Sequence, residues 1–257
     1  MSQKPRIEEY RIGDHVYAKE YSGDGGVRFT KDGVLLTLEA WNQELNRFQS
    51  MSVLEEHPNP LVRLKEWHRR QSFLHLVQIR SAEHVIDVGC ESGYLAEGLA
   101  SHCRQLLCAD IDPAMLRQTR RRLGVDKAMY LQADIRALPL SACSLDVVVA
   151  SEILEHIADS KRGLSELVRI VKPAGHIYLS VPNEPLVQFI KRVLRTLRLT
   201  AVLGGLSEKL AIGHVHALTK KDLIDICRSQ PVMIKRVFYS KPFFLNVFAH
   251  LQPWSRV

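Results

Sequence analysis

From His84 onward the chain alternates short apolar runs with amphipathic segments, and this alternation constrains the fold more than any other feature of its 257 residues. The short apolar runs at 84–88, 106–110, 128–132, 145–150 and 175–181 read as strands. Helical periodicity starts between them near Tyr94, Pro113, Glu152 and Ser160. Strands separated by helices pair in parallel through right-handed crossovers. The expectation is an α/β fold with a doubly wound, mostly parallel sheet and helices on both faces.

Upstream, Asn59-Pro60 supplies an N-cap and a first-turn proline. Leu61, Leu64, Trp67, Phe73, Leu74 and Val77 then recur at helical spacing, predicting a helix over about 60–79 that leads into the core. Residues 10–41 alternate loosely around a Gly-rich break at 22–26 and a Lys31-Asp32-Gly33 turn, which predicts a small N-terminal β-hairpin. A helix over 219–228 and a strand over 232–239 close the pattern. The expected division is an accessory segment at 1–59, a core at 60–240 with a basic helical insertion at 184–216, and a C-terminal tail at 241–257.

A chain that is 46% hydrophobic can bury one full core and carry a small appendage. Its formal charge of +7 permits an anionic partner without requiring one. Five cysteines with no CxxC pair imply free thiols in a reducing compartment, hence a cytoplasmic expectation. Met-Ser-Gln-Lys-Pro at the start lacks the apolar run of a signal peptide. No stretch reaches the ~20 apolar residues of a membrane span, so a soluble or at most peripheral chain is expected.

The segment Val85-Ile-Asp-Val-Gly-Cys-Glu-Ser-Gly-Tyr94 runs from a strand into a helix through a glycine-containing turn. Such a turn lets backbone approach a ligand and aims free helix N–H groups at it. About twenty residues on, Asp110 closes the second strand, where a sheet of this type holds a ribose diol. Asp134, after the third strand, is a second carboxylate at the same edge.

At these residues the chain resembles class I S-adenosylmethionine-dependent methyltransferases of the ubiquinone-pathway O-methyltransferase type, over roughly residues 60–240. Residues 85–93 look like their first motif, 110–116 like the second and 133–139 like the third, with 144–156 and 167–175 completing the series. The resemblance implies a Rossmann-like seven-stranded sheet and an enzyme with S-adenosylmethionine as cofactor. It further implies that Asp87 orients the turn, that Gly89 and Gly93 border the methionine part, and that Asp110 takes the ribose hydroxyls. Ile111 would pack on adenine and Asp134 would accept from its amino group, with Cys90, Ile135 and Ser151 completing the pocket. Glu91 is a departure, since it stands where the family's Gly-x-Gly-x-Gly has its middle glycine.

Glu152, Glu155 and His156 fall at i, i+3 and i+4 of the helix expected after the fourth strand, so they would share one face. With His216 of Gly213-His-Val-His216 they form a candidate set for a divalent ion such as magnesium. This pattern is similar to that of small-RNA ribose 2′-O-methyltransferases. Without a metal, His156 or His214 is the candidate general base. Over 186–199, Leu186, Ile190, Val193, Leu194 and Leu197 line one helical face, while Lys191, Arg192, Arg195 and Arg198 occupy the rest. Such a helix suits a substrate lid, peripheral contact with a membrane carrying a lipid-like acceptor, or phosphates of RNA. The absence of interleaved aromatic and basic residues disfavours RNA. The expected activity is methylation of oxygen on a small-molecule or lipid-linked acceptor. The alternatives are metal-dependent RNA ribose 2′-O-methylation and a catalytically silent S-adenosylmethionine-binding module.

Overall fold

The computed structural model describes residues 6–12, 14–22, 27–49, 55–80, 83–196, 218–240 and 246–254. Its N-terminal part is an antiparallel sheet of β1 (Arg6–Ile12), β2 (His15–Tyr21), β3 (Val27–Lys31) and β4 (Val34–Leu36), followed by α1 (Leu38–Gln49). The hairpin expected from the sequence is thus extended to four strands. Asp32 (φ 51°) and Gly33 (φ 80°) both take left-handed backbone between β3 and β4, the requirement of a two-residue hairpin turn. Tyr17, Phe29 and Trp41 form a small core between this sheet and α1.

The helix α2 (Pro60–Leu76) starts as expected, with Asn59 Oδ1 accepting from Leu61 N at 2.9 Å. Its buried face differs from the expected apolar stripe: Val62, Glu66, Phe73 and Leu76 are buried, while Leu61, Leu64 and Trp67 are exposed. An ion pair, described below, lets this stripe include a charge.

The main sheet consists of β5 (His84–Val88), β6 (Gln105–Asp110), β7 (Met129–Gln132), β8 (Leu145–Ser151), β9 (Val171–Pro182), β10 (Val232–Tyr239) and β11 (Asn246–Pro253), ordered β10-β11-β9-β8-β5-β6-β7. The five strands from β9 to β7 run parallel, and β11 lies antiparallel to both β9 and β10. Residues 246–253, assigned from the sequence to a tail, therefore form an interior strand. Val247, Phe248, Ala249 and Leu251 are all fully buried, so the strand lacks the alternation that marks a half-exposed one.

Connecting helices are α3 (Tyr94–Leu99), α4 (Pro113–Leu123), α5 (Ser160–Ile170), α6 (Glu184–Thr196) and α7 (Lys220–Arg228). Of these, α3, α4, α5 and α7, together with α2, pack on a sheet with two apolar clusters, one around Ile86, Val148 and Ile177 and the other around Val85, Val147 and Tyr178. The helix expected from Glu152 is only a single 3-10 turn at Leu154–His156. Winding changes direction between β5, which leads to β6, and its other neighbour β8. Such a switch point opens a crevice beyond the carboxyl ends of the strands.

Candidate cofactor crevice and active site

At the carboxyl end of β5, Gly89 N and Cys90 N both donate to Ala109 O of β6, at 2.8 and 3.1 Å. The turn is thereby folded over the end of the neighbouring strand. Gly89 (φ 74°) leaves no room for a side chain, because a Cβ there would lie 2.6 Å from Ile153 Cδ1. Gly93 (φ 79°) is equally confined, since a Cβ there would lie 2.8 Å from Thr119 Cγ2 and 3.1 Å from Thr119 Cα. The two glycines let the turn backbone pass close to Ile153 and Thr119 in left-handed conformations.

Glu91 takes φ 50°, the left-handed conformation that favours glycine. Its N–H donates to Asp110 Oδ2 at 2.9 Å, so the strained residue is held by the second strand. Left-handed backbone costs a side-chain-bearing residue about 1–2 kcal/mol, and glycine loses roughly 0.5–1 kcal/mol more chain entropy on folding. Glu91→Gly is therefore expected to stabilise the fold by roughly 0.5 kcal/mol in urea unfolding. A loss of that size would mean that the Glu91 side chain itself holds the turn.

Two buried carboxylates lie beneath this turn. Asp87 is 1% exposed, and its Oδ2 has no hydrogen-bond partner among the described residues. Burial, reinforced by the neighbouring Asp110, pushes its carboxyl up to about 7. Asp110 accepts from Asp112 N on Oδ1 and from Glu91 N on Oδ2, both at 2.9 Å. Burial lifts it to about 6 despite these backbone donors. An unsatisfied buried carboxylate beside a second one suits a ligand bringing positive charge and hydroxyl donors. S-adenosylmethionine, with its sulfonium, ammonium and ribose diol, fits that donor set.

The other expected contacts divide. Ile111, directly after Asp110, is half-buried at the same edge. Asp134 is engaged by its own turn: Arg136 N donates to Oδ1 at 2.8 Å, and Arg136 Nε lies 3.0 and 2.9 Å from the two oxygens. The guanidinium hydrogen bond holds this carboxyl below the usual range. An adenine amino group would have to share it with Arg136. The side chains of Cys90 and Ile135 belong to the two apolar clusters, each 4% exposed. Ser151, at the end of β8, shares a 2.8 Å hydrogen bond with Ser180 of β9.

Sequence reasoning missed Arg69. It projects from α2, donates from Nε to Glu66 Oε2 at 2.9 Å and reaches Ser151 Oγ with Nη1 at 3.4 Å. Burial works against its charge, but attraction by Glu66, with smaller contributions from Glu152 and Glu91, outweighs it and the guanidinium stays protonated. A sheltered cation near Glu91 and the end of β8 is suited to the carboxylate of the cofactor's methionine arm. The signal was an i, i+3 Glu-Arg pair between Val62 and Phe73 on the buried face of the helix.

The expected metal set does not assemble as a helical face. Glu152 has φ 57° and lies outside the 3-10 turn, with its Oε1 accepting from Asn246 Nδ2 of β11 at 2.7 Å. Glu155 is fully buried, whereas His156 is partly exposed and its carbonyl accepts from Asn42 Nδ2 of α1 at 3.5 Å. The left-handed residue after β8 turns the chain before helical spacing can take hold. The next helix starts only at Ser160, capped by Asp159. Among the described residues no three potential metal ligands converge. His214 and His216 lie outside the described residues.

Residues 86–179 match the family model described as a methyltransferase domain. A probable S-adenosylmethionine-dependent methyltransferase of Mycobacterium tuberculosis is 29% identical over 170 residues, covering 61% of this chain and 61% of that protein. A ubiquinone biosynthesis O-methyltransferase of Coxiella burnetii is 28% identical over 150 residues, covering 55% and 62%. The match thus spans about three fifths of each relative's length. Among solved structures, the N-methyltransferase NodS of Bradyrhizobium japonicum, in complex with S-adenosyl-L-homocysteine, superposes with a TM-score of 0.58 at 16% identity, covering 84% of this chain and 97% of NodS. At that identity the likeness is one of fold.

Proposed function

We propose that this chain, which carries a class I S-adenosylmethionine-dependent methyltransferase domain, transfers a methyl group from S-adenosylmethionine to an oxygen of a small lipophilic acceptor. The observation that carries the reading is the pair of buried carboxylates, Asp87 and Asp110, beneath a glycine turn at the switch point of the sheet. The bound cofactor would supply a methyl group made electrophilic by its sulfonium. Asp110 would hold the ribose through its remaining lone pairs, and Arg69 would hold the methionine carboxylate. Asp87 would offset the positive charge. The Coxiella relative, named for ubiquinone biosynthesis, supports an oxygen nucleophile on a lipophilic ring.

His156, partly exposed after β8, is the candidate to accept the proton released by an acceptor hydroxyl. Alignment of the two reactants would supply the remainder of the acceleration. Glu155 is fully buried and Glu152 accepts from Asn246, and the proposed mechanism assigns a metal step to neither.

Calorimetry with S-adenosylmethionine tests the cofactor assignment. Below about 7 the Asp87 carboxyl is neutral and must release its proton to face a cation. Affinity is therefore expected to fall by up to about tenfold for each unit of pH below that point. Undetectable binding at pH 8 would sink the assignment. In the same preparation His156→Ala should leave binding unchanged and lower turnover on a labelled quinone-precursor phenol by about 10²-fold; unaltered turnover would remove His156 from the mechanism.

A further inference from the structure

The helix α6 has an apolar side that the described residues leave exposed. None of its described side chains is buried, and Phe189, Ile190 and Val193 are 61%, 37% and 38% exposed. A globular protein ordinarily packs such a stripe against its core. Here the stripe is combined with cations: after the acidic Glu184 at its first position, the sequence of the helix contains Lys191, Arg192 and Arg195 and no further acidic residue. The helix also has a defined place. It begins two residues beyond β9, whose Ser180 bonds to Ser151 at the edge of the crevice.

We infer that α6 is a membrane-docking helix, which lies in the interface of an anionic bilayer and brings the mouth of the crevice to an acceptor dissolved in the lipid. The chemistry of both faces favours this occupant. Phe189, Ile190 and Val193 gain by entering the acyl boundary, and the basic residues keep their charges among anionic headgroups. Nucleic acid would reward the cations but leave the apolar residues in water. No described helix is long and apolar enough to cross a membrane, so this contact is peripheral. The inference rests on the proposed lipophilic acceptor for its purpose, while the docking itself can be measured without methyl transfer.

The test is flotation of the full chain with vesicles of phosphatidylcholine alone or with one-third phosphatidylglycerol. The chain is expected to float with the anionic vesicles and to be released by salt. Replacing Phe189→Asp and Val193→Asp together should weaken flotation at least about tenfold, and Arg192→Glu should weaken it less. Calorimetric S-adenosylmethionine binding by these variants should match the parent, which separates lost docking from a damaged fold. Three results would overturn the inference: no flotation of the parent, undiminished flotation of the double-Asp variant, or a parent dimer in ultracentrifugation that the double-Asp change dissociates without altering flotation. Binding to single-stranded RNA that depends on Arg192 but not on Phe189 would assign the face to nucleic acid instead. Failure of flotation with cofactor binding intact leaves the methyltransferase reading standing.

Discussion

Asp110→Ala is expected to weaken S-adenosylmethionine binding by about 10²–10³-fold, the largest loss available from one side chain in the crevice. Two effects act together. The ribose diol loses an ionic acceptor, and Glu91 N and Asp112 N each lose a 2.9 Å partner. Glu91 already occupies strained backbone, so the turn that should face the cofactor is freed to relax. Asp110→Asn separates the contributions, because its amide oxygen can still satisfy one of those N–H groups. It should retain part of the affinity. Calorimetry against S-adenosylmethionine and its demethylated product reads both variants, and a tenfold loss or less for Ala would place the ribose elsewhere.

Removing the guanidinium from Arg69 is expected to destabilise the fold by about 2–4 kcal/mol, even when Met preserves the volume. Glu66 is 3% exposed and sits between Lys65 Nζ at 2.6 Å and Arg69 Nε at 2.9 Å. Burial alone would raise its carboxyl, but the two cations prevail and hold it at about 2. Without Arg69 the buried carboxylate keeps only the lysine. The same pair sets an acid signature. An acid whose folded-state pKa is depressed contributes stability that is complete above its unfolded value of 4.5 and is lost as pH falls toward 2. That contribution is on the order of 3 kcal/mol. Urea unfolding at neutral pH and at about pH 3 should show a shallower acid loss in Arg69→Met than in the parent. A cost under about 0.5 kcal/mol at neutral pH would mean that Lys65 alone suffices for Glu66.

Periodicity and punctuation made the central part of the molecule legible. Each strand from 84 to 181 carries a short apolar run, and Asn59-Pro60, Asp112-Pro113 and Thr219 are local start signals that the helices obey. The placement of Asp87, Gly89, Gly93 and Asp110 at the turn was equally legible, since it follows from backbone geometry fixed within a few residues of each strand end. Interior strand β11 was not legible, because burial on both faces erases alternation. Arg69 escaped notice because its meaning depends on Glu66 and on a serine 82 residues away. Glu152, Glu155 and His156 were misplaced because their spacing promised a helical face that the left-handed backbone at Glu152 prevents.

The sequence by itself determined the order of strands and helices, the glycine turn and the carboxylates that border it, because these depend on propensities and hydrogen bonds between near neighbours. The tertiary structure alone decided which charges are buried together, which side of α6 is left uncovered and where the last strand enters the sheet. Those outcomes follow from desolvation and packing between segments far apart in the chain, and no local pattern encodes them.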